Sequence, residues 1–252
     1  KKMLSLGCVS YDVRSTILLI GETCLVNLLG IDTSTRSTVL GLQLGSEVID
    51  RTSPDVDTHS REILPSIESL VMEAGIGIED LDAIVFGQGP GSFTGLRIAV
   101  GVVQGLGYGL GIPVVPVSSM ACIAQSLIQA ANPSLIFVGL TARLEEVYYG
   151  AYKFEEAIAV PIISEGVVDV SELPQLPVGD WLGCGNAMPE LGTKIQSVTG
   201  VSFSRISSEA VPSIHNLLSL GCFKFSRGES VSAMQATPVY LREQVASRPG
   251  KR

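Results

Sequence analysis

Short apolar runs and longer amphipathic stretches alternate along this chain, with turn residues between them. Val26–Ile31 is a continuous branched run of the kind buried strands carry, Thr38–Leu44 alternates, and Glu47–Arg51 follows across Gly45-Ser46. Three antiparallel strands are therefore expected to open the fold. Over Ser60–Ala74 the period lengthens: Ile63, Ile67, Leu70, Val71 and Ala74 share one helical face, and Gly75-Ile76-Gly77 ends it. The run at 82–86 reads as a strand, Phe93–Leu110 as a long apolar helix, Pro113–Val117 as a strand punctuated by prolines, and Met120–Ala130 as a helix. The order then begins again. Leu135–Thr141, Glu146–Phe154, Ile162–Val170 and Trp181–Gly183 read as strands, followed by helices at Asn186–Ser197 and Pro212–Phe225. The second series echoes the first more weakly, which predicts a duplicated α/β architecture rather than a Rossmann sheet.

One turn stands out from this pattern. Gly87-Gln88-Gly89-Pro90-Gly91-Ser92-Phe93-Thr94-Gly95-Leu96-Arg97 joins an expected strand to an expected helix. Helix N-termini carry unpaired N–H groups and partial positive charge, so a glycine turn there is a candidate anion site. Neither familiar phosphate grammar fits: the last glycine precedes Leu96-Arg97 rather than Lys-Ser/Thr, and the register Gly87-x-Gly89-x-Gly91 is not Gly-x-Gly-x-x-Gly. A tight turn with close helix packing is the alternative. Asp32 is the best-placed carboxylate, at a strand end beside Thr33, Ser34 and Thr35. It would either hold a metal or a phosphate-bound water, or cap its own turn. The candidate anion site thus comprises Asp32, Thr33, Ser34, Gly89, Gly91 and Ser92.

Within the following helix, Gly101, Gly105 and Gly109 recur every four residues and line one face. Each costs about 1 kcal/mol of helix propensity relative to Ala, a loss that close approach of another helix would offset. The pattern leaves open whether that helix belongs to this chain or to another protein.

Composition narrows the chemistry. With 46% apolar and 17% charged residues among 252, the core is expected to be aliphatic, as in α/β proteins. A net charge of −8 argues against the chain gripping nucleic acid alone. The two histidines, His59 and His215, stand far apart and offer no metal-ligand spacing. Five cysteines form no Cys-x-x-Cys pair and read as reduced buried thiols. No Gly-x-Ser-x-Gly elbow or Cys-His arrangement nominates a nucleophile. Residues 1–24 contain an apolar run broken by Glu22, too short to span a bilayer, and read as an extension ahead of the domain.

Four blocks carry a resemblance: Leu29-Gly30-Ile31-Asp32-Thr33-Ser34-Thr35, His59-Ser60-Arg61-Glu62-Ile63-Leu64-Pro65, Gly89-Pro90-Gly91-Ser92-Phe93-Thr94-Gly95-Leu96-Arg97 and Pro238-Val239-Tyr240-Leu241-Arg242. In order and spacing, over about residues 25–246, they resemble the bacterial TsaB (YeaZ) family. The resemblance implies an actin/Hsp70/sugar-kinase-like (ASKHA) fold of two related α/β lobes, each with a mixed sheet flanked by helices. The lobes are expected at 25–118 and 119–252, with 1–24 outside the family pattern. It further implies a cytoplasmic, noncatalytic subunit that works with the catalytic paralogue TsaD and the ATPase TsaE. Together these place threonylcarbamoyl on N6 of adenosine 37 in ANN-decoding tRNAs, with tRNA reached only through the complex. No cofactor, metal or membrane is implied for the subunit itself.

By the same resemblance, helices matching Ser60–Ala74 and Phe93–Leu110 form the bundle with TsaD, or a homodimer when TsaD is absent. The expected partner-binding residues are His59, Ile63, Ile67, Leu70, Val71, Phe93, Leu96, Arg97, Gly101, Gly105 and Gly109. One departure is the turn Thr141-Ala142-Arg143, where family members often carry Asp-Ala-Arg. The competing reading is an ATPase or small-molecule kinase on the same fold, with Asp32 and Gly89–Gly91 bracketing phosphates.

Overall fold

Leu29 and Ile31 point to one side of the first strand and Leu28 to the other, and this period of two organises the first half of the molecule. The computed structural model describes residues 25–54, 59–127, 135–143 and 145–241, although for 59–61 only the backbone. The expected extension 1–24 lies outside the described residues.

The first sheet comprises β1 (Asn27–Asp32), β2 (Val39–Leu44), β3 (Glu47–Asp50), β4 (Ala83–Gly87) and β5 (Val114–Val117), in the order β3-β2-β1-β4-β5. The β1–β2 and β2–β3 pairs are antiparallel, whereas β1–β4 and β4–β5 are parallel. The second sheet comprises β6 (Leu135–Thr141), β7 (Glu146–Glu155), β8 (Ile158–Asp169), β9 (Trp181–Cys184) and β10 (Phe203–Ser207). Its order, β8-β7-β6-β9-β10, and its pattern of antiparallel then parallel pairs repeat those of the first sheet. This duplication gives the two related α/β lobes that were expected, each with a mixed sheet flanked by helices.

Helices cover both faces of each sheet. On the first, Leu29, Ile31, Ile84 and Phe86 pack against α1 (His59–Ala74) and α2 (Phe93–Leu110). On its other face, Leu28, Val85 and Val115 meet Ile214, Leu217 and Leu218 of α5 (Ile214–Ser226). On the second, Ile136, Val138 and Tyr152 meet Met120 and Ile123 of α3 (Ser119–Gln125). Phe137, Val147 and Trp181 meet Met188 and Ile195 of α4 (Met188–Thr199) on the opposite side.

Several expectations need correction. Helix α5 falls within 119–252 in sequence but buries its apolar face on the first sheet, and Val231 bridges to Val114 of β5. A cut at residue 118 therefore does not separate two lobes: the chain crosses back, because β1, β4 and β5 carry apolar residues on both faces and α5 covers the second. Strand β8 begins at Ile158 rather than Ile162, because Glu156 and Ala157 form a two-residue hairpin turn with positive φ of 49° and 65°. Neither residue is a turn former, so the hairpin left no signal. Strand β10 was not expected, since its segment Phe-Ser-Arg-Ile-Ser is an edge strand, largely exposed and without alternation. Helix α3 ends at Gln125, and 128–134 lie outside the described residues. Cys122 and Cys184 are buried free thiols, but Cys222 is disulfide-bonded, against the expectation of reduced thiols throughout.

Candidate functional site

The glycine turn and the end of β1 meet as a packed joint. Asp32 is fully buried. Its Oδ1 accepts the Ser34 N–H at 2.6 Å and its Oδ2 the Ser119 hydroxyl at 2.9 Å. Burial raises its carboxyl above the usual range, partly offset by these donors. The Thr33 hydroxyl donates to the Gly95 carbonyl at 2.7 Å, and the Ser92 N–H to the Ser34 carbonyl at 2.7 Å. Ser92 also caps α2, its Oγ accepting the Gly95 N–H at 3.2 Å. Gly89, at φ +104°, accepts from the Ser119 N–H at 2.9 Å.

What the glycines make room for is backbone. A Cβ on Gly95 would fall 1.9 Å from the Thr33 carbonyl oxygen, and one on Gly91 2.3 Å from that of Ser34. The structure thus brings Asp32, Thr33, Ser34, Gly89, Gly91 and Ser92 together, but not as an anion cradle. The space beside the glycines is filled by carbonyl oxygens, which repel an anion, and the Ser92 and Gly95 N–H groups are already bonded. The Ser34 hydroxyl is buried in the same joint, beside the Asp32 carboxyl.

Helix α2 turns the other glycines outward. Leu96, Ala99, Val100, Val103 and Gly107 lie on its buried face, while Gly101, Gly105 and Gly109 lie on the exposed side, where among the described residues no neighbouring atom comes within 4 Å of an added Cβ. Among the described residues no helix of this chain packs there, which bears on the question the spacing left open. Beside them Tyr108 is 74% exposed, and on α1 Leu64 and Met72 are 53% and 72% exposed. Between the helices runs a shallow groove of about 300 Å³ lined by Leu64, Ile67, Glu68, Val71, Met72 and Leu106, with Ile78.

Of the expected partner-binding residues, Ile63, Leu70 and Leu96 do not belong on this surface. All three are buried at 2% exposure or less. Ile63 and Leu70 lie on the helical stripe that docks on the sheet, and Leu96 packs against the glycine turn at Gly89. Ile67 and Val71 are also core residues and reach only the groove floor. The His59 side chain lies outside the description. The exposed residues that sequence reasoning missed are Leu64, Met72 and Tyr108. Their signal is their position off the core stripe, unusual only because the residues are large and apolar.

At the other end of α2 the tail returns. The ring of Tyr240 lies 5.6 Å from that of Phe93, and the Arg97 Nε–H donates to the Tyr240 hydroxyl at 3.1 Å. The Arg97 guanidinium also sits 3.8 Å over the Phe93 ring. Phe93 and Arg97 are thus held by the tail at the start of the outward face.

A family model described as TsaD, tRNA N6-adenosine threonylcarbamoyltransferase, matches residues 54–244. A protein of Escherichia coli K12 named tRNA threonylcarbamoyladenosine biosynthesis protein TsaB is 30% identical over 90% of this chain and 100% of its own. The chain belongs to the TsaB (YeaZ) family. The Haemophilus influenzae TsaB is likewise 30% identical, over 90% of this chain and 98% of its own length. The solved YeaZ of Pseudomonas aeruginosa superposes with a TM-score of 0.78 at 34% identity, over 86% of this chain and 100% of that one. These TsaB relatives carry the name of the threonylcarbamoyladenosine pathway. Among the described residues no three potential metal ligands come together, and no helix is long and apolar enough to cross a membrane.

Proposed function

We propose that this TsaB-family chain is a noncatalytic partner subunit in N6-threonylcarbamoylation of adenosine 37 in ANN-decoding tRNAs. In this reading α1 and α2 dock on TsaD, TsaE joins the pair, and tRNA is bound through the complex. The observation that carries it is the outward Gly101-Gly105-Gly109 face, which gives the isolated fold nothing and admits a second helix backbone at close range. The exposed apolar Leu64, Met72 and Tyr108 around it support the same reading. Without TsaD the same face is expected to pair two copies of the chain.

The competing kinase or ATPase reading needs Asp32 to face a phosphate, and its burial with both oxygens bonded weighs against that role. Calorimetric titration of TsaD with wild type and Gly105→Leu tests the docking face. A bulky side chain there should abolish binding while the free variant stays folded, and equal affinity would refute the interface. Titration with ATP and Mg²⁺ tests the alternative, since a kinase should bind nucleotide at micromolar levels without a partner.

A further inference from the structure

A separate cavity of about 610 Å³ opens where the tail, α5 and β8 come together, within the usual range for small-molecule sites. Its walls are mainly apolar, with Val117, Ile158, Val160, Leu220 and Phe223 among them. Its polar lining includes Gln88, Glu165 and Lys224, which have hydrogen-bonding capacity to spare, together with Ser164 and Glu229. Lys224 is half-buried and donates to the Pro116 carbonyl at 2.7 Å, and no carboxylate lies within ion-pair distance of it among the described residues. Burial pulls its pKa down, opposed by the more distant charges of Glu229 and Glu165.

Glu165 is oriented from both lobes. Its Oε1 accepts the hydroxyl of Tyr152 at 2.5 Å and that of Ser118, while no hydrogen bond among the described residues reaches its Oε2. Tyr152 is fully buried, so this acceptor is positioned by a rigid donor. The Gln88 side chain also lines the cavity, and no hydrogen bond to its amide is found among the described residues. A half-buried cation with no carboxylate in direct ion-pair contact and a carboxylate oxygen lacking a donor share one mainly apolar cavity, whose wall also carries Glu229 beside Arg227, and are complementary to a molecule carrying both charges.

We propose that this cavity binds a small zwitterion with an apolar body, the chemistry of a hydrophobic amino acid or a short apolar peptide. Its carboxylate pairs with Lys224 Nζ and its ammonium with Glu165 Oε2, and the Gln88 amide hydrogen-bonds either end. The site is distinct from the outward face of α1 and α2, so its occupancy is independent of partner docking through that face.

The test is calorimetric titration of the full chain with L-phenylalanine and with the dipeptide Phe-Leu, which separate the two sources. 3-Phenylpropanoate lacks the ammonium and phenethylamine lacks the carboxylate, so each should bind at least tenfold more weakly than the zwitterion. Glu165→Gln keeps an acceptor for Ser118 and Tyr152 but removes the charge, and Lys224→Met keeps the stem. Each should weaken zwitterion binding at least tenfold while leaving the circular dichroism spectrum unchanged. Should Lys224→Met misfold, Glu165→Gln alone decides. Absence of binding by both zwitterions at millimolar concentration would overturn the proposal, as would equal binding by the singly charged analogues or by Glu165→Gln.

Discussion

Replacing Gly101, Gly105 and Gly109 together by Ala should make the free chain more stable and its assemblies weaker. Among the described residues no neighbouring atom lies within 4 Å of the added methyls, so the fold gains helix propensity without a steric cost from them. At about 1 kcal/mol each, the three substitutions sum to ~2–3 kcal/mol. For a protein of this size that corresponds to a rise of roughly 4–12 °C in melting temperature. The assay is thermal unfolding by circular dichroism, repeated on dilution so that self-association does not contribute, alongside sedimentation of the free chain and titration with TsaD. Three methyl groups on a face built for close backbone approach should hold the helices apart and weaken both the homodimer and the complex. A destabilised free chain would show that the glycines are packed internally. A stabilised chain whose association is unchanged would refute the docking face.

The same substitution has the opposite sign one turn into the helix: Gly95→Ala, whose Cβ would meet the Thr33 carbonyl at 1.9 Å, should destabilise by ~3 kcal/mol or more in urea unfolding. Asp32 should make stability fall with pH. Its folded pKa is raised by burial, so the native state holds a proton that the unfolded chain has released, and stability present below the ordinary carboxylate pKa of 3.8 is lost as pH rises through the folded value. Asp32→Asn removes that titration. Its stability relative to wild type should therefore increase with pH across this window, and a pH-independent difference in denaturation midpoints would contradict the assignment.

Much of the fold is legible along the chain, because β1, β4 and β5 are short branched runs and α1 and α2 have clear periodicity. What failed has identifiable causes. The turn at Glu156-Ala157 uses positive φ without glycine or asparagine, and β10 is an edge strand whose exposed residues need no alternation. For the candidate docking face, the resemblance marked whole helices, and Ile63 and Leu70 lie on the periodic stripe of α1. A stripe marks what a helix buries, and here the buried surface is the chain's own sheet.

By itself the sequence determined which segments are helix and strand, that the series is duplicated, and that two sets of glycines lie at the start and along the length of α2. Periodicity and turn chemistry are local, and local rules suffice for them. Only the tertiary structure decided that Gly91 and Gly95 face backbone while Gly101, Gly105 and Gly109 face outward. It alone placed Asp32 in the core, returned α5 to the first sheet, and brought Lys224 and Glu165 to one cavity. Those outcomes depend on what covers each surface, and the covering atoms lie tens of residues away or more along the chain.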